Sequence, residues 1–264
     1  MTMQTKREYD LAFSLGQACA CSLTLRTAQL QFASFPLDWI AGGTLPQRVD
    51  LVIRRFDGWL AKEDFVYNGT NPINGLGMFR NTKTGIYHLH DFTDGPIENS
   101  YTQVVAKYAR REKRLLDLIA KAKCVLVVYI NSANAGGDRA PSLEDLAKAR
   151  ADLSRAFPNA AFDIIHFTLD RSIPFEKRSV TVPAEGITEI RFDYYDETKD
   201  VRAKDAATAL LSLGTSVRDY RTKAERKAYK LKTNMMKYNV DTRFGLFLAK
   251  AKARIGRMFG KQRQ

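Results

Sequence analysis

Runs of apolar residues alternate with amphipathic stretches along most of the chain. Short continuous apolar runs predict strands buried on both faces, as in a parallel sheet covered by helices. The predicted strands are residues 9–14, 124–130, 162–168, 179–182 and 187–194. The predicted helices are residues 17–29, 46–60 and 98–123, and a further one that Ser142 would cap. The pattern therefore predicts an α/β fold with an open, mainly parallel sheet flanked by helices.

The segment between the second and third helices has a different pattern. Residues 67–77 are rich in Asn and Gly and indicate a loop, and residues 77–91 then resemble a hairpin that turns at 81–85. A second glycine-containing loop, residues 131–141, follows the strand 124–130. Ligands of open α/β sheets bind beyond the carboxyl ends of the strands, so this loop is expected to border a pocket.

The C-terminal part is predicted to be a basic helical extension. The formal net charge is +13, and 15 Lys or Arg against 3 Asp or Glu lie from Arg218 onwards. We expect a body of residues 1–203 and an extension of residues 204–264. Near the chain end, apolar residues at spacings of three and four alternate with basic ones, which is typical of a basic amphipathic helix. The residues expected to contact an anionic membrane surface are Phe244, Phe247, Leu248, Lys250, Arg254, Arg257 and Phe259.

Two other interpretations of this extension remain open. A helix packed on the body with a solvated basic face has the same pattern. Basic residues interleaved with Tyr220, Tyr229 and Tyr238 could also bind single-stranded nucleic acid by charge and stacking. Nucleic acid is the less favoured partner, because the body supplies no matching basic stripe and no recognised nucleic-acid motif.

Composition narrows the class of protein. The chain has no run of 18 apolar residues and residues 1–10 are polar, so neither a membrane span nor a secretory signal is predicted. We expect a cytoplasmic protein, peripheral on the inner face of the membrane if the basic helix binds lipid. Three cysteines and three histidines fit a reducing compartment and show no zinc spacing, so no metal is expected.

Cys19 is the candidate nucleophile. It follows the first predicted strand and Gly16, which allows a tight backbone turn, and it would lie in the first turn of the next helix. Unpaired backbone N–H groups and the positive end of the helix dipole favour a thiolate there. The alternative is a buried cysteine that acts as a small hydrophobic residue, and this is favoured more strongly for Cys21 and Cys124.

Four motifs carry a family resemblance: YDLAFSLGQAC at 9–19, SFPLDW at 34–39, HDF at 90–92 and KYARREKR at 107–114. Over roughly residues 8–130 they resemble the putative papain-like cysteine peptidase family. This is an uncharacterised bacterial group that is often associated with surface-polysaccharide gene clusters. The resemblance implies Cys19 as the nucleophile and His90 as the base.

A Cys/His pair would support acyl transfer or hydrolysis through a thioester. Asp91 is adjacent to His90 in a strand and would point to the opposite face, so Asp38 is the favoured acid to orient His90. Alternatively, Asp38 caps the turn after Pro36. Alternatively, His90 is a surface histidine of the hairpin. The same alternative applies to His88, which lies one strand period away on the same face. His166, inside an apolar strand, is expected to be a core histidine with satisfied hydrogen bonds.

Candidate substrate-binding residues are Gln17, Arg110, Arg111 and Arg114. Arg110 and Arg114 share a helix face at i,i+4 and could bind a phosphate or carboxylate. Alternatively, these arginines form a solvated helix face.

The leading hypothesis is a Cys/His enzyme of cell-envelope polysaccharide biosynthesis that acts on a glycan or acyl substrate without a cofactor. One rival is an acetyltransferase that uses coenzyme A, and another is a glycosyl-type transferase at the membrane surface. The non-enzymatic alternative is a basic adaptor that binds anionic lipid or nucleic acid through residues 218–264.

Overall fold

The computed structural model of the chain describes residues 7–16, 18–131, 140–196, 200–237 and 242. The strands in these ranges are β1 (Arg7–Tyr9), β2 (Leu11–Ser14), β3 (Ile40–Gly42), β4 (Phe65–Thr70), β5 (Gly77–Asn81), β6 (Ile86–Phe92), β7 (Cys124–Ile130), β8 (Ala161–Leu169), β9 (Ser179–Ala184), β10 (Ile187–Phe192), β11 (Tyr195–Asp196), β12 (Asp200–Val201) and β13 (Thr215–Val217). The α-helices are α1 (Ala18–Thr27), α2 (Leu45–Ile53), α3 (Tyr101–Lys121), α4 (Leu143–Ala156), α5 (Ala203–Ser212) and α6 (Lys223–Lys237).

The central sheet has the strand order β2-β7-β8-β10-β9. Its first four strands run parallel, and β9 is antiparallel to β10 at one edge. β2 is buried throughout, and β7 is buried at every position after Cys124, as expected for strands covered on both faces. The prediction of an open, mainly parallel α/β sheet is confirmed.

A second, antiparallel sheet with the order β3-β6-β5-β4 contains the predicted hairpin. The turn between β5 and β6 is closed by Asn81, whose Oδ1 accepts the backbone N–H of Thr84 at 2.9 Å. The prediction of a loop from residue 67 is wrong at its start, because β4 continues to Thr70. Ladder hydrogen bonds from β5 outweigh the weak strand preference of Asn and Gly in that segment.

α2 is shorter than the predicted helix 46–60 and ends at Ile53. Arg55 and Phe56 have φ values of 57° and 62°, and the Phe56 N–H donates to the carbonyl of Leu51 at 2.7 Å. This hydrogen bond closes the helix end across a left-handed turn. Phe56 and Trp59 are nevertheless buried. Buried residues therefore recur at helical spacing beyond the end of α2, which is why the pattern predicted a longer helix.

The body is longer than the sequence predicts. The chain divides into two compact units, residues 1–218 and 219–264, so the predicted boundary after residue 203 falls too early. The reason is that α5 buries Ala206 and Leu210 in the same core as Leu25 of α1, and β13 pairs in parallel with β1. In the second unit, the α6 side chains from Lys223 to Lys230 are exposed.

Within the described ranges, no helix has both the length and the apolar character needed to cross a bilayer. The predicted membrane-contacting residues Phe244, Phe247, Leu248, Lys250, Arg254, Arg257 and Phe259 lie outside the described residues.

Candidate functional site

Cys19 lies in the first turn of α1, directly after the turn that follows β2. Its side chain is half-buried, and its carbonyl accepts a hydrogen bond from the Ser22 hydroxyl at 3.1 Å. Ala18, which begins α1, has a φ of +53°. The strand, turn and helix expected around Cys19 are therefore present, whereas Gln17 lies outside the described residues.

Gly16 is required by the packing of this turn. A Cβ atom at residue 16 would lie 2.7 Å from the Cβ of Cys21 and 2.7 Å from the backbone nitrogen of Ile130, the last residue of β7. A larger residue would force the turn away from the central sheet. The close approach places Cys19 beside the carboxyl ends of β2 and β7, where open α/β sheets bind ligands.

Arg48 of α2 also holds this turn. Its guanidinium is fully buried and donates to the carbonyls of Gly16 at 2.8 Å and of Ile40 at 2.9 Å. It also donates to the carbonyls of Gly42 at 2.7 Å and Gly43 at 3.2 Å, two glycines with positive φ. Arg48 thus joins the Cys19 turn to the second sheet. Sequence reasoning missed it because an arginine in an amphipathic helix is usually exposed.

Of the other two cysteines, Cys21 differs from Cys19 in its burial. Cys21 is fully buried, and its Sγ donates to the carbonyl of Val128 at 3.1 Å. Burial raises the pKa of Cys21 to about 11, so it remains a thiol at neutral pH. Cys124 is half-buried at the start of β7. Cys21 is therefore a structural cysteine.

His90 is exposed near the end of β6, and its Nδ1 lies 2.7 Å from Nδ2 of Asn74. The Oδ1 of Asn74 accepts the backbone N–H of Leu76 at 2.9 Å. Because this fixes the amide oxygen, Asn74 donates to His90, and a neutral imidazole then carries its proton on Nε2. Sequence reasoning missed Asn74, whose only signal is its place in the Asn- and Gly-rich segment 67–77.

His88 is fully buried, so its interpretation as a surface histidine is wrong, as is the expectation that it shares a face with His90. Its ring centroid lies 5.4–5.8 Å from those of Trp59, Phe65, Phe92 and Tyr108. Nδ1 lies 2.9 Å from Oδ2 of Asp91, and Nε2 is buried without a hydrogen-bond partner among the described residues. His88 is therefore part of an aromatic core.

His166 occupies the core of the central sheet, as expected. Burial lowers the pKa of His166 to about 4, so the ring is neutral at pH 7. Its Nδ1 lies 3.5 Å from the Thr168 hydroxyl, and Nε2 has no hydrogen-bond partner in the described part of the chain. The expected core location is confirmed, but the expected full hydrogen bonding is not.

Asp38 is a buried acid that closes a turn. Its Oδ2 accepts from Nε2 of Gln31 at 2.6 Å and from the backbone N–H of Phe35 at 2.8 Å, and it lies 3.5 Å from the Arg26 guanidinium. Its Oδ1 is buried without a hydrogen-bond partner in the described ranges. The prediction that Asp38 orients His90 is therefore not supported by contacts, because the carboxylate is engaged by the segment around Pro36.

We expect Asp38 to make the stability of the protein depend on pH. Burial raises the pKa of Asp38 from 3.8 to about 6, and bonds and charges from Phe35, Arg26 and Gln31 offset only part of this rise. The folded protein keeps the proton to a higher pH than the unfolded chain does. The contribution of this proton to the free energy of unfolding is therefore fully present below about pH 4. It is lost as the pH rises through 6.

Denaturant titrations of the wild type and of Asp38→Asn at several pH values measure this effect. The free energy of unfolding of the wild type, relative to that of the variant, should fall by about 2 kcal/mol between pH 4 and pH 7. Other titrating groups cancel in this comparison. Parallel stability curves for the two proteins would show that Asp38 does not titrate in this range.

The three candidate arginines of α3 differ in what they contact. Arg114 donates to the carbonyl of Ser34 at 2.8 Å, and the charge of half-buried Arg111 opposes the rise in the Asp38 pKa. Arg110 is exposed and makes no such contact among those described. Arg114 therefore contacts the segment 34–38, and substrate binding by the three arginines stays a prediction.

Metal-binding clusters and cavities are the other candidate ligand sites in the described ranges. No three side chains of His, Cys, Asp or Glu come together there as a metal site. A cavity of about 290 Å³ lies between α2 and the turn at Lys83 and Thr84, and no predicted site residue lines it. Most of the loop 131–141, which was expected to border a pocket, lies outside the described residues.

The fold and the position of Cys19 define an α/β protein with a candidate cysteine-dependent site. The chain belongs to the family described as "Putative papain-like cysteine peptidase (DUF1796)", whose model matches residues 10–153. This match confirms the resemblance and spans Cys19, Asp38, both hairpin histidines and the arginines of α3. No curated protein and no solved structure matches the chain.

Proposed function

We propose that this protein is a Cys/His-dependent enzyme of acyl transfer or hydrolysis, with Cys19 as the nucleophile and His90 as the acid and base. The observation that carries the proposal is the half-buried position of Cys19 in the first turn of α1. The start of a helix favours a thiolate, and its backbone N–H groups would stabilise an oxyanion. Membership of a family described as a putative papain-like cysteine peptidase supports the same chemistry.

The reaction would have two steps. In the first, the Cys19 thiolate forms a bond to the carbonyl carbon of the acyl donor. The protonated imidazole of His90 gives its proton to the leaving group as the bond to that group breaks. In the second, the neutral imidazole takes a proton from the acceptor hydroxyl, whose oxygen displaces the Cys19 sulfur. Water as the acceptor gives hydrolysis, and a sugar hydroxyl gives acyl transfer.

Contacts that link α1 to β6 through β3 support the proposed pairing of Cys19 with His90. β3 pairs with β6 so that Ile40 lies opposite His88. β3 begins at Ile40 and residues 36–39 form a turn, so the pairing of β3 with β6 ends at His88. Ser22 lies three residues after Cys19, and its hydroxyl donates to the carbonyl of Asp38 at 2.9 Å. The first turns of α1 are therefore next to the segment that enters β3, the strand that pairs with β6.

We assign the orienting role to Asn74 instead of Asp38. Papain-like proteases combine Cys and His with an Asn that orients the imidazole. Nε2 of His90 can accept a proton only in the neutral tautomer that carries its hydrogen on Nδ1. In that tautomer Nδ1 is a donor, so the Asn74 amide must turn its oxygen towards Nδ1. This rotation breaks the hydrogen bond from the Leu76 N–H to Oδ1. An aspartate at position 74 would offer an oxygen to both groups at once.

Alkylation by iodoacetamide tests this pair, because only the thiolate reacts. At pH 6 we expect Cys19 to be labelled, and His90→Ala to react about tenfold more slowly, since an adjacent cation favours the thiolate. Asn74→Asp should react faster than the wild type. Mass spectrometry identifies the labelled residue, and Cys21→Ala is the control with an unchanged rate. Labelling of Cys124 alone, or a normal rate in His90→Ala, would contradict the proposal.

We further propose, from the family resemblance, that the acyl acceptor or donor is a glycan of cell-envelope polysaccharide biosynthesis. Thermal unfolding with oligosaccharides, coenzyme A and sugar nucleotides separates the substrate classes, because a ligand that prefers the native state raises the transition temperature. Stabilisation by coenzyme A would favour an acetyltransferase, and stabilisation by a sugar nucleotide would favour a glycosyl-type transferase.

We also propose that the unit 219–264 binds an anionic membrane surface. Among the described side chains of α6, the exposed basic residues are Lys223, Arg226, Lys227 and Lys230. A basic residue near anionic headgroups contributes about 1 kcal/mol, so reversal of two charges should weaken binding strongly. A soluble basic adaptor for nucleic acid would share this charge but would not need a bilayer.

Sedimentation with vesicles tests the membrane proposal. The protein should sediment with phosphatidylserine vesicles but not with phosphatidylcholine vesicles. Lys227→Glu combined with Lys230→Glu should weaken binding by at least about tenfold. The matched control reverses Lys113 and Lys148, two exposed lysines of the body. Equal loss in both double variants, or stronger binding to single-stranded RNA than to vesicles, would count against the membrane.

A further inference from the structure

Asp91 follows His90 in β6, but its carboxylate is buried while His90 is exposed. Three side chains contact this carboxylate. Nδ1 of His88 lies 2.9 Å from Oδ2, the Tyr108 hydroxyl donates to Oδ2 at 2.7 Å, and the Lys107 ammonium pairs with Oδ1. His88 belongs to β6 itself, whereas the other two residues belong to α3. Asp91 therefore ties β6 to α3.

β6 is irregular at this place. β5 pairs Gly77 with Phe92 and Phe79 with His88. The two residues of β5 are two positions apart, whereas their partners in β6 are four positions apart. β6 therefore contains two extra residues between these pairs. In a regular strand, His88 and His90 would point to the same face. The extra residues separate the two imidazoles, one into the core and one to the surface. Bulges of this kind re-aim a side chain, often next to a functional site.

The anchor in this bulge is a fixed negative charge. Burial alone would raise the pKa of Asp91, but the hydrogen bond and charge of His88 and the charge of Lys107 hold it well below its usual range. The carboxylate therefore stays ionised over the whole neutral range. The bulge is held by Asp91 through α3, and His90 is held separately by Asn74.

We propose that Asp91 is a positioning residue for His90. By anchoring the bulge of β6 to α3, it sets where the His90 imidazole lies relative to Cys19. The inference rests on the proposed function of Cys19 and His90. A positioning role acts on Cys19 through His90. A purely structural role of Asp91 would weaken the fold whether or not His90 is present.

A double-mutant cycle separates these two roles. The rate of Cys19 alkylation at pH 6 is measured for the wild type, Asp91→Asn, His90→Ala and the double variant. If Asp91 acts through His90, Asp91→Asn slows alkylation about tenfold when His90 is present and has no further effect in its absence. Equal slowing in both backgrounds, or no slowing in either, would overturn the inference.

The two single variants distinguish failure of the inference from failure of the proposed function. A normal rate in His90→Ala refutes the Cys19/His90 pair and the inference with it. A slow rate in His90→Ala together with a normal rate in Asp91→Asn refutes the inference alone.

Tyr108→Phe keeps the test decisive if Asp91→Asn does not fold. This variant retains the packed ring and removes one hydrogen bond to Asp91. Circular dichroism checks the fold of each protein. We expect a smaller slowing than in Asp91→Asn, again only when His90 is present. An unchanged rate in Tyr108→Phe, or the same slowing without His90, would overturn the inference.

Discussion

Replacement of Cys19 by alanine is expected to abolish turnover while the fold remains intact. Without the sulfur no thioester can form, so kcat/KM on an activated acyl ester should fall by at least about 10⁴-fold, as for other removed nucleophiles. The side chain is small and half-buried, so the loss of stability should be minor. Ester hydrolysis and circular dichroism of the purified variant measure the two effects.

Cys21→Ala is the matched control for this experiment. It removes a fully buried sulfur two residues further along the same helix, where the thiol donates to a carbonyl. We expect about 1 kcal/mol of lost stability and nearly normal turnover. Turnover that survives in Cys19→Ala and disappears in Cys21→Ala would show that the wrong cysteine has been assigned.

Replacement of Arg48 by methionine is expected to cause the largest loss of stability. Methionine has a similar length but no donors, so the buried carbonyls of Gly16, Ile40 and Gly42 would lose this partner. A buried polar group without its partner costs about 1–3 kcal/mol, and several are affected together. We expect the free energy of unfolding to fall by about 4 kcal/mol, a large part of the stability of an ordinary domain.

Arg54→Met provides a matched control at the end of the same helix. Arg54 is exposed and lies 3.5 Å from Asp50 in a surface ion pair. Such pairs contribute little, so its replacement should change stability by less than about 0.5 kcal/mol. Urea denaturation of both variants measures the difference. Similar losses in the two proteins would contradict the role of Arg48 in joining the Cys19 turn to the second sheet.

Local sequence signals were sufficient for the central sheet. The continuous apolar run 124–130 became β7 with the predicted bounds, because a run of that length and composition is stable only when it is buried on both faces. Ser142 caps α4 as predicted, through reciprocal hydrogen bonds with Asp145 three residues later. Gly16 likewise marked the turn that places Cys19, because a side chain there would clash with neighbouring backbone.

The candidate site was less predictable than the fold. Strand periodicity placed His88 and His90 on one face, whereas the bulge in β6 separates them. Asp38 had two interpretations, an acid that orients His90 or a cap of the turn at Pro36, and its hydrogen bonds from Gln31 and Phe35 favour the cap. Both cases concern the direction of a side chain, which depends on register and on neighbours far away in the sequence.

The sequence by itself determined the α/β class, most strand positions, the basic C-terminal part and the helix start that contains Cys19. These features depend on hydrophobic periodicity and on turn residues, which act over a few neighbouring positions. Only the tertiary structure decided that Arg48 holds the Cys19 turn, that Asn74 contacts His90 and that Asp91 is anchored by α3. Those contacts join residues from different elements. Many polar residues have similar neighbours in the sequence, and only burial and strand register decide which of them meet.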